Sequence, residues 1–219
     1  MQVAPSVYFY PFTSMMENNC NTIIIDGPEK VIIDPGHKHL WPDLKKAIEA
    51  DSLRVEDISL ALHTHCHPDH IEAGEILELE YGATQAMSTI EAEFLDGPGR
   101  EFFPWMGLDY PKGSISRTLN EGPLGLGDKT VNLYLAPGHT PGSLCLHWPE
   151  AKVLITGDVL FAHSVGRTDF PGGSHQDLAA SIEKLAQLPD VEMILPGHGP
   201  AVIGAAKVSA NYQAVKAYF

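Results

Sequence analysis

The stretch that decides the fold is residues 58–70, Ile-Ser-Leu-Ala-Leu-His-Thr-His-Cys-His-Pro-Asp-His. Its first five residues, Ile58–Leu62, are mostly apolar and predict a short buried strand. Four side chains that commonly bind metal ions follow within six residues: His65, His67, Asp69 and His70. An open catalytic zinc site normally uses three protein ligands and a water, so four ligands in one segment indicate two metal ions.

The spacing within this segment separates the four side chains into two groups. Alternate residues of an extended chain point to the same side, so His65 and His67 face the same way. Asp69 and His70 fall in the turn that follows, where they are placed to face a second ion. Cys66 lies between the two histidines and points away from them, and we expect it to be buried and inert.

Three later turns repeat one local scheme, an apolar strand followed by glycine and a ligand-type side chain. His139 lies in Pro-Gly-His-Thr-Pro-Gly-Ser, Asp158 in Thr-Gly-Asp, and His198 in Pro-Gly-His-Gly. Glycine allows the backbone to turn sharply at the end of a strand. We therefore predict one metal centre with seven ligands: His65, His67, Asp69, His70, His139, Asp158 and His198.

The other histidines are not predicted to bind metal, because a lone histidine after a strand is more often structural than a metal ligand. We assign His63, His147, His163 and His175 to hydrogen-bonded structural positions or to the surface. His37 and His39 are predicted to be exposed to solvent rather than bound to metal.

Short β-type runs alternate with helical patterns along the chain, and no repeat or low-complexity linker interrupts them. This alternation predicts an α/β protein with two sheets packed face to face and helices outside, an αβ/βα sandwich formed by residues 1–219 as a single domain. The predicted strands are 7–10, 21–25, 31–33, 58–62, 83–87, 131–135, 144–148, 153–156 and 193–195, and the predicted helices are 41–50, 71–79, 89–95, 176–188 and 206–218.

Composition narrows the class of partner. The net charge is −14 and the 14 Lys and Arg residues are scattered, which argues against a nucleic-acid partner. We find no apolar run of about 20 residues, so no membrane partner is expected. Three unclustered cysteines predict a reduced, cytoplasmic setting. The expected partner is a small-molecule substrate, and the sequence does not determine the oligomeric state.

Two other features have alternative interpretations. Residues 96–118 are rich in glycine, proline and aromatic side chains and predict a long loop that partly packs on the body. Its Phe103 and Trp105 either cover the pocket and select an apolar group, fill the core, or form an oligomer contact. Arg167 either contacts a substrate carboxylate or braces its own loop through Asp169, and we favour the second role.

The His-x-His-x-Asp-His cluster, the Gly-His-Thr-Pro-Gly turn, Thr-Gly-Asp and Pro-Gly-His-Gly together resemble the metallo-β-lactamase superfamily, in the same order and from about residue 21 to 198. The resemblance implies that superfamily's four-layer sandwich. Residues 33–36, Ile-Asp-Pro-Gly, resemble the family's early turn, which implies a structural role for Asp34 near the site. These motifs are specific for the fold and not for the substrate.

Within the superfamily, residues 166–173, Gly-Arg-Thr-Asp-Phe-Pro-Gly-Gly, resemble the glyoxalase II-like hydrolases and the related persulfide dioxygenases. The likeness implies that His65, His67 and His139 hold one metal, that Asp69, His70 and His198 hold the second, and that Asp158 bridges them. Only 21 residues follow His198, so the chain resembles a shorter bacterial type and we expect no C-terminal glutathione-binding helical domain.

The sequence therefore favours a glyoxalase II-like hydrolase of a small thioester or ester that uses a metal-bridging hydroxide as nucleophile. Its cofactor would be two divalent ions, with zinc favoured and iron or manganese as alternatives. Asp69 and Asp158 are the predicted catalytic residues. One alternative is a persulfide dioxygenase with a single Fe(II) on His65, His139 and Asp158, and another is a lactonase. A true β-lactamase is less favoured, because the zinc-dependent ones usually lack an aspartate at the position of Asp158.

Overall fold

The first half of the chain forms a seven-stranded sheet in the computed structural model, which describes residues 1–14 and 16–219. The strands lie side by side in chain order: β1 (Gln2–Ala4), β2 (Val7–Tyr10), β3 (Thr22–Ile25), β4 (Lys30–Ile33), β5 (Ile58–Leu62), β6 (Thr84–Ser88) and β7 (Arg117–Leu119). The neighbouring strands from β1 to β4 pair antiparallel, and those from β4 to β7 pair parallel.

The second half forms a six-stranded sheet of β8 (Gly122–Leu126), β9 (Lys129–Leu135), β10 (Leu144–Trp148), β11 (Val153–Gly157), β14 (Met193–Pro196) and β15 (Val202–Ile203). Their spatial order is β15-β14-β11-β10-β9-β8. Strands β11 and β14 pair parallel, and the other neighbours pair antiparallel. A small separate hairpin is formed by β12 (Leu160–Phe161) and β13 (Ser164–Val165).

The two sheets pack face to face because their strands carry apolar side chains on both faces. In β3, Ile23 and Ile25 belong to the core between the sheets, while Ile24 belongs to the core on the outer face. The inner core also takes Val131, Leu133 and neighbouring residues from the second sheet. Strand alternation with a period of two therefore supplies a central apolar layer and an outer one.

Helices cover both outer faces. Helices α1 (Trp41–Ala50) and α3 (Gly74–Tyr81) pack on the first sheet, and α6 (His175–Leu185) and α7 (Ala205–Val215) pack on the second. The predicted αβ/βα four-layer sandwich is thus confirmed. Among residues 1–14 and 16–219, none of the helices has the length and apolarity needed to cross a bilayer.

The helix predicted over residues 71–79 is partly wrong: α3 covers its residues 74–79, but a separate short helix, α2 (Pro68–Ile71), precedes it. A continuous helix would bond the Ala73 N–H to the Asp69 carbonyl. Instead, Ala73 donates to the Gly36 carbonyl at 2.7 Å, and the Asp69 carbonyl accepts from Cys20 at 3.3 Å. Long-range hydrogen bonds to neighbouring loops therefore break the helix beside the predicted ligands.

The long loop predicted over residues 96–118 is also partly wrong. After α4 (Thr89–Asp96) it contains a 3₁₀ turn, Pro98–Glu101, and the short helix α5 (Phe102–Trp105), and it ends in strand β7. Strand β8 was not predicted either, since its sequence Gly-Pro-Leu-Gly-Leu is rich in turn residues. It pairs with β9 and lies at the edge of its sheet, where a proline is tolerated.

Asn21 joins the two halves of the sandwich directly below the predicted ligand His198. Its side-chain amide donates to the carbonyls of Pro196 at 3.0 Å and Gly199 at 2.8 Å, and its side-chain oxygen accepts from Phe12 at 2.9 Å. The side chain is 1% exposed, so its loss leaves these backbone groups without their partner.

We predict that Asn21→Ala lowers the free energy of unfolding by about 2–4 kcal/mol, because three hydrogen bonds of about 0.5–1.5 kcal/mol each are removed. Urea unfolding of the variant and of the unchanged protein measures this difference. The exposed Asn120 supplies the control, since Asn120→Ala should change stability by less than about 0.5 kcal/mol. Equal effects of the two substitutions would contradict the role of Asn21.

Candidate metal centre

The seven side chains predicted as ligands meet at one end of the sandwich. His65, His67, Asp69 and His70 follow strand β5, while His139, Asp158 and His198 follow β9, β11 and β14 of the other sheet. Six of the seven are buried, and the ring of His198 is 28% exposed. Because loops from both sheets contribute, the packing of the two sheets fixes the geometry of the cluster.

The first group consists of three imidazoles. His67 Nδ1 lies 3.0 Å from His65 Nε2 and 3.0 Å from His139 Nε2. Ligand nitrogens about 2.0–2.1 Å from a tetrahedral zinc ion lie about 3.3 Å from one another, close to the spacing seen here. Three ring nitrogens directed at one point cannot satisfy each other as neutral groups, because each has either one proton or one lone pair to offer. This arrangement fits a cation.

The second group consists of Asp69, His70 and His198. His198 Nε2 lies 3.3 Å from Asp69 Oδ2 and 3.4 Å from His70 Nε2. A carboxylate and two imidazoles again form a three-ligand set that suits zinc, iron or manganese.

Asp158 lies between the two groups. Its Oδ2 is 3.6 Å from His139 Nε2 and 3.4 Å from His198 Nε2, so one carboxylate approaches a ligand of each group. Its Oδ1 lies 3.3 Å from His70 Nε2, but the orientation is not that of a hydrogen bond, and this buried oxygen accepts none within the described chain. A buried carboxylate oxygen without a donor is costly unless a cation faces it.

The charges of the two groups differ. Burial, reinforced by neighbouring imidazoles, lowers the pKa of His65 well below its usual value and that of His67 to about 3. Burial also disfavours a charged His70 or His198, but carboxylates outweigh it. Asp158 and Asp34 raise the pKa of His70 well above its usual value, and Asp158 and Asp69 raise that of His198 to about 9. In the metal-free protein, His65 and His67 are therefore neutral, while His70 and His198 carry protons.

The two aspartates remain ionised. Burial alone would raise their pKa values, but His198 and His70 hold the pKa of Asp69 below its usual value and that of Asp158 well below. Five imidazoles that can donate lone pairs and two carboxylates give a donor set of charge −2, which two divalent cations complement.

Asp34 orients part of the centre, as its predicted structural role requires. It accepts hydrogen bonds from the Thr64 amide at 2.8 Å, the Thr64 hydroxyl at 2.7 Å and His70 Nδ1 at 2.9 Å. The bond to Nδ1 leaves His70 Nε2 directed at the cluster. Asp34 adopts a φ of 54°, which is uncommon for a residue other than glycine, so the surrounding contacts hold a strained backbone here.

Two further contacts to the ligands escaped sequence reasoning. The Arg167 carbonyl lies 2.8 Å from His139 Nδ1, and the Asn18 amide donates to Asp69 Oδ2 at 2.7 Å. The first uses a backbone atom, which no residue type reveals, and the second joins residues that are 51 positions apart. Neither leaves a signal in the sequence alone.

Glycines bring the ligand turns close to the ligands. A Cβ atom at Gly197 would collide with Asp158 Oδ1, and one at Gly166 would collide with the Asp158 backbone carbonyl. Any side chain at these two positions would therefore displace Asp158 or its loop.

The remaining histidines differ in part from their predicted positions. His37 was predicted to be exposed and this is wrong: it is 7% exposed, and its Nδ1 lies 2.9 Å from Glu72 Oε2. His39 is exposed, as are His163 and His175. His63 and His147 are buried, and His63 lies 3.0 Å from Gln85 Oε1. Glu72 also accepts a hydrogen bond from the Lys38 amide. The burial of His37 depends on this carboxylate, which is 35 residues away in the sequence, so the local sequence around His37 did not indicate it.

The aromatic side chains of α5 lie in different environments. Phe103 is fully buried and packs against Tyr110, so it fills the core. Phe102 meets the His67 ring edge-on with a centroid distance of 4.5 Å, while Trp105 is 63% exposed. Phe102 therefore forms an apolar wall beside the first group.

Arg167 and Cys66 occupy the positions expected of them. The Arg167 guanidinium donates twice to Asp169, at 2.7 Å each, and lies 3.6 Å from the centre of the Phe170 ring, so it braces its own loop. Cys66 is buried, and burial raises the pKa of its thiol well above the usual value, which keeps it unreactive at neutral pH.

Comparison with known proteins gives a consistent result. The family model of the metallo-beta-lactamase superfamily matches residues 16–198. Hydroxyacylglutathione hydrolase GloC of Haemophilus influenzae is 35% identical over 204 residues, which cover 89% of this chain and 91% of that protein. The B3 metallo-beta-lactamase BLEG-1 superposes with a TM-score of 0.78 at 30% identity, over 94% of this chain and 97% of that one. TTHA1623, solved in a di-iron-bound form, gives a TM-score of 0.73 at 29% identity, over 89% and 94%.

The raised pKa values lead to a prediction about proton release. His70 and His198 carry protons at pH 7, and each proton must leave before the nitrogen can bind a metal ion. At saturating zinc and pH 7, His198→Gln should therefore release about one proton fewer than the unchanged protein. The difference should shrink as the pH rises through about 9, where His198 loses its proton before metal is added.

Calorimetric zinc titrations in two buffers with different ionisation enthalpies measure the proton count. His175→Gln, which changes an exposed histidine, should release as many protons as the unchanged protein. A proton count that is the same in His198→Gln at pH 7 would contradict the assignment of His198 to the second group.

Proposed function

The chain belongs to the metallo-β-lactamase superfamily and is a metal-dependent hydrolase, and we propose that it uses two divalent ions to cleave a small thioester or ester in the manner of glyoxalase II. One observation carries the proposal. Two three-ligand groups, His65 with His67 and His139, and Asp69 with His70 and His198, lie side by side with Asp158 between them.

The chemistry follows from that arrangement. Two divalent cations at this place would lower the pKa of a shared water toward about 7, supply a hydroxide nucleophile, and polarise a carbonyl oxygen. Asp158 sets the spacing of the two groups, because its Oδ2 approaches His139 and His198 at once. Asp69 supplies the carboxylate of the second group, and the Asn18 amide and His198 hold that carboxylate in place.

The neighbouring side chains support a thioester more than an amide. A thiolate leaves a tetrahedral carbon readily without protonation, whereas an amine leaving group needs a general acid. The Phe102 and Phe170 rings both lie edge-on against the His67 ring of the first group, and they offer no acidic proton. Hydroxyacylglutathione, the substrate in the name of the relative GloC, is a thioester.

Zinc is the metal that we propose first. Imidazole nitrogens and carboxylate oxygens bind zinc well, and the close spacing of the three imidazoles matches tetrahedral coordination. The di-iron form of TTHA1623 makes iron the first alternative, because the same donor types also suit iron and manganese.

A β-lactam is the second substrate class to consider, because BLEG-1 is described as a B3 metallo-beta-lactamase and resembles this chain over nearly its whole length. The reaction would be the same attack on a carbonyl carbon. The leaving group would be the ring nitrogen of the lactam, which requires a proton that a thioester does not require.

The first experiment combines elemental analysis with a substrate panel. Protein purified without added metal or chelator should contain close to two metal ions per chain and should hydrolyse S-lactoylglutathione faster than a chromogenic β-lactam or a lactone. One iron per chain with oxygen uptake on glutathione persulfide would overturn the hydrolase proposal in favour of a persulfide dioxygenase. Hydrolysis of the β-lactam alone would overturn the thioester assignment.

We further predict that Asp158→Ala lowers kcat by about 100-fold or more, because polarisation and positioning by two metals contribute several kcal/mol to the transition state. The measurement is steady-state turnover of the best substrate in the panel at saturating metal. Asp128→Ala is the matched control, since Asp128 is an exposed aspartate that pairs with Lys129 and lies outside the predicted ligand set. Full activity of Asp158→Ala would remove Asp158 from the site.

A further inference from the structure

Glu91 is a buried carboxylate that the proposed chemistry does not use. It lies in the first turn of α4 and is fully buried. Residues 88–91, Ser-Thr-Ile-Glu, have the sequence of a capping box, in which the glutamate turns back to the backbone N–H of the serine. Ser88 caps the helix by accepting from the Glu91 N–H at 3.0 Å, but the Glu91 carboxylate points elsewhere.

The Glu91 carboxylate accepts hydrogen bonds from two separate loops. Its Oε1 accepts from the Cys66 N–H at 2.9 Å. Its Oε2 accepts from the Thr140 hydroxyl at 2.8 Å and from the Gly142 N–H at 2.8 Å. A buried carboxylate with three convergent donors is satisfied as an anion, although burial raises its pKa.

The donors flank the three imidazoles of the first group. Cys66 stands between His65 and His67, and Thr140 follows His139 directly. The two loops come from different halves of the chain, so Glu91 joins the two sources of these ligands. The distances between the three ring nitrogens therefore depend on the hydrogen bonds that join Glu91 to the His65–His67 loop and to the turn that follows His139.

Neighbouring contacts reinforce the link. The Ser88 hydroxyl donates to the Gly142 carbonyl at 2.6 Å, and the Ser143 hydroxyl lies 2.7 Å from that of Thr140. A Cβ atom at Gly142 would collide with the backbone nitrogen of Glu91, so the turn approaches the start of α4 as closely as glycine permits. The start of α4 and the turn that follows His139 are therefore held together by contacts besides those of the Glu91 carboxylate.

We propose that Glu91 is a positioning residue for the first metal group, holding the His65–His67 loop and the His139 turn at the separation that metal binding requires. This inference rests on the proposed function, because it assumes that the three imidazoles bind a metal ion. Glu91 touches no predicted ligand side chain, and it acts through the backbones of Cys66 and Gly142 and the hydroxyl of Thr140.

Glu91→Gln is the sharpest variant. The glutamine keeps the size of the side chain but places an NH₂ group opposite either the Cys66 N–H or the Gly142 N–H, and neither backbone donor can become an acceptor. One of the two backbone N–H groups therefore loses its acceptor. Loss of an outer partner of metal ligands typically weakens metal binding by about 10–100-fold, and we expect that range for the first group.

Glu78→Gln is the matched control. Glu78 accepts from the Ser114 N–H, the Ser114 hydroxyl and the Gln85 amide, at 2.8, 2.9 and 2.7 Å, so it also has three donors of mixed type. It joins α3 to the loop before β7 and contacts no loop that carries a predicted ligand. Its substitution should leave both metal affinities unchanged.

The experiment measures zinc affinity by competition with a chromogenic chelator, and cobalt absorption spectra, on metal-free proteins whose folding is checked by circular dichroism. We expect the unchanged protein to bind two ions, and Glu91→Gln to bind one of them about 10–100-fold more weakly with altered cobalt bands. Thr140→Val, which removes one donor and keeps the side-chain shape, should weaken the same ion by a smaller factor. This variant decides the matter if Glu91→Gln does not fold.

Each other result has a distinct meaning. Two ions bound with unchanged affinity and spectra in Glu91→Gln, or in Thr140→Val when that variant decides, would overturn the positioning role and leave the proposed function intact. Equal weakening of both ions, matched by Glu78→Gln, would mark a general loss of stability and also overturn it. An unchanged protein that binds no metal would overturn the proposed function itself.

Discussion

The packing of one sheet against the other is the constraint on which the rest of the structure depends. Each predicted metal group takes ligands from both halves, His65 and His67 with His139, and Asp69 and His70 with His198. The apolar layer between the sheets fixes the two sets of loops relative to one another. Asn21 ties the halves on the His198 side, and Glu91 ties them on the His139 side.

A cluster of this kind is unfavourable in isolation, so the fold must hold it together. Burying imidazoles and carboxylates costs free energy unless each finds a partner. The protein meets this requirement in two ways. His70 and His198 are charged against Asp34, Asp69 and Asp158, while His65 and His67 are kept neutral. The pKa values of His70 and His198 rise because carboxylates lie beside them. Those of His65 and His67 fall because burial and neighbouring imidazoles dominate there.

What the sequence predicted well is what is local in the chain. A strand, a turn and a ligand fall within about ten residues, so pattern and spacing predicted the strand ends and the side chains that the structure brings together. What it missed depends on distant partners. The break between α2 and α3 comes from Gly36 and Cys20, the burial of His37 from Glu72, and the support of His139 from a backbone carbonyl. Strands β7 and β8 are similarly defined by the strands beside them rather than by their own residues.

The glycines of the ligand turns limit how this enzyme can evolve. Any replacement of a glycine adds at least a Cβ atom. At Gly142, Gly166 and Gly197 that atom would collide with backbone or ligand atoms. Single substitutions at these three glycines should therefore be rejected, both in natural evolution and in mutant libraries. Trp105 and Met106 are exposed, and the Trp105 ring lies edge-on against the Phe102 ring beside the first group. Substitutions are therefore accommodated more easily at exposed positions such as these than in the ligand turns.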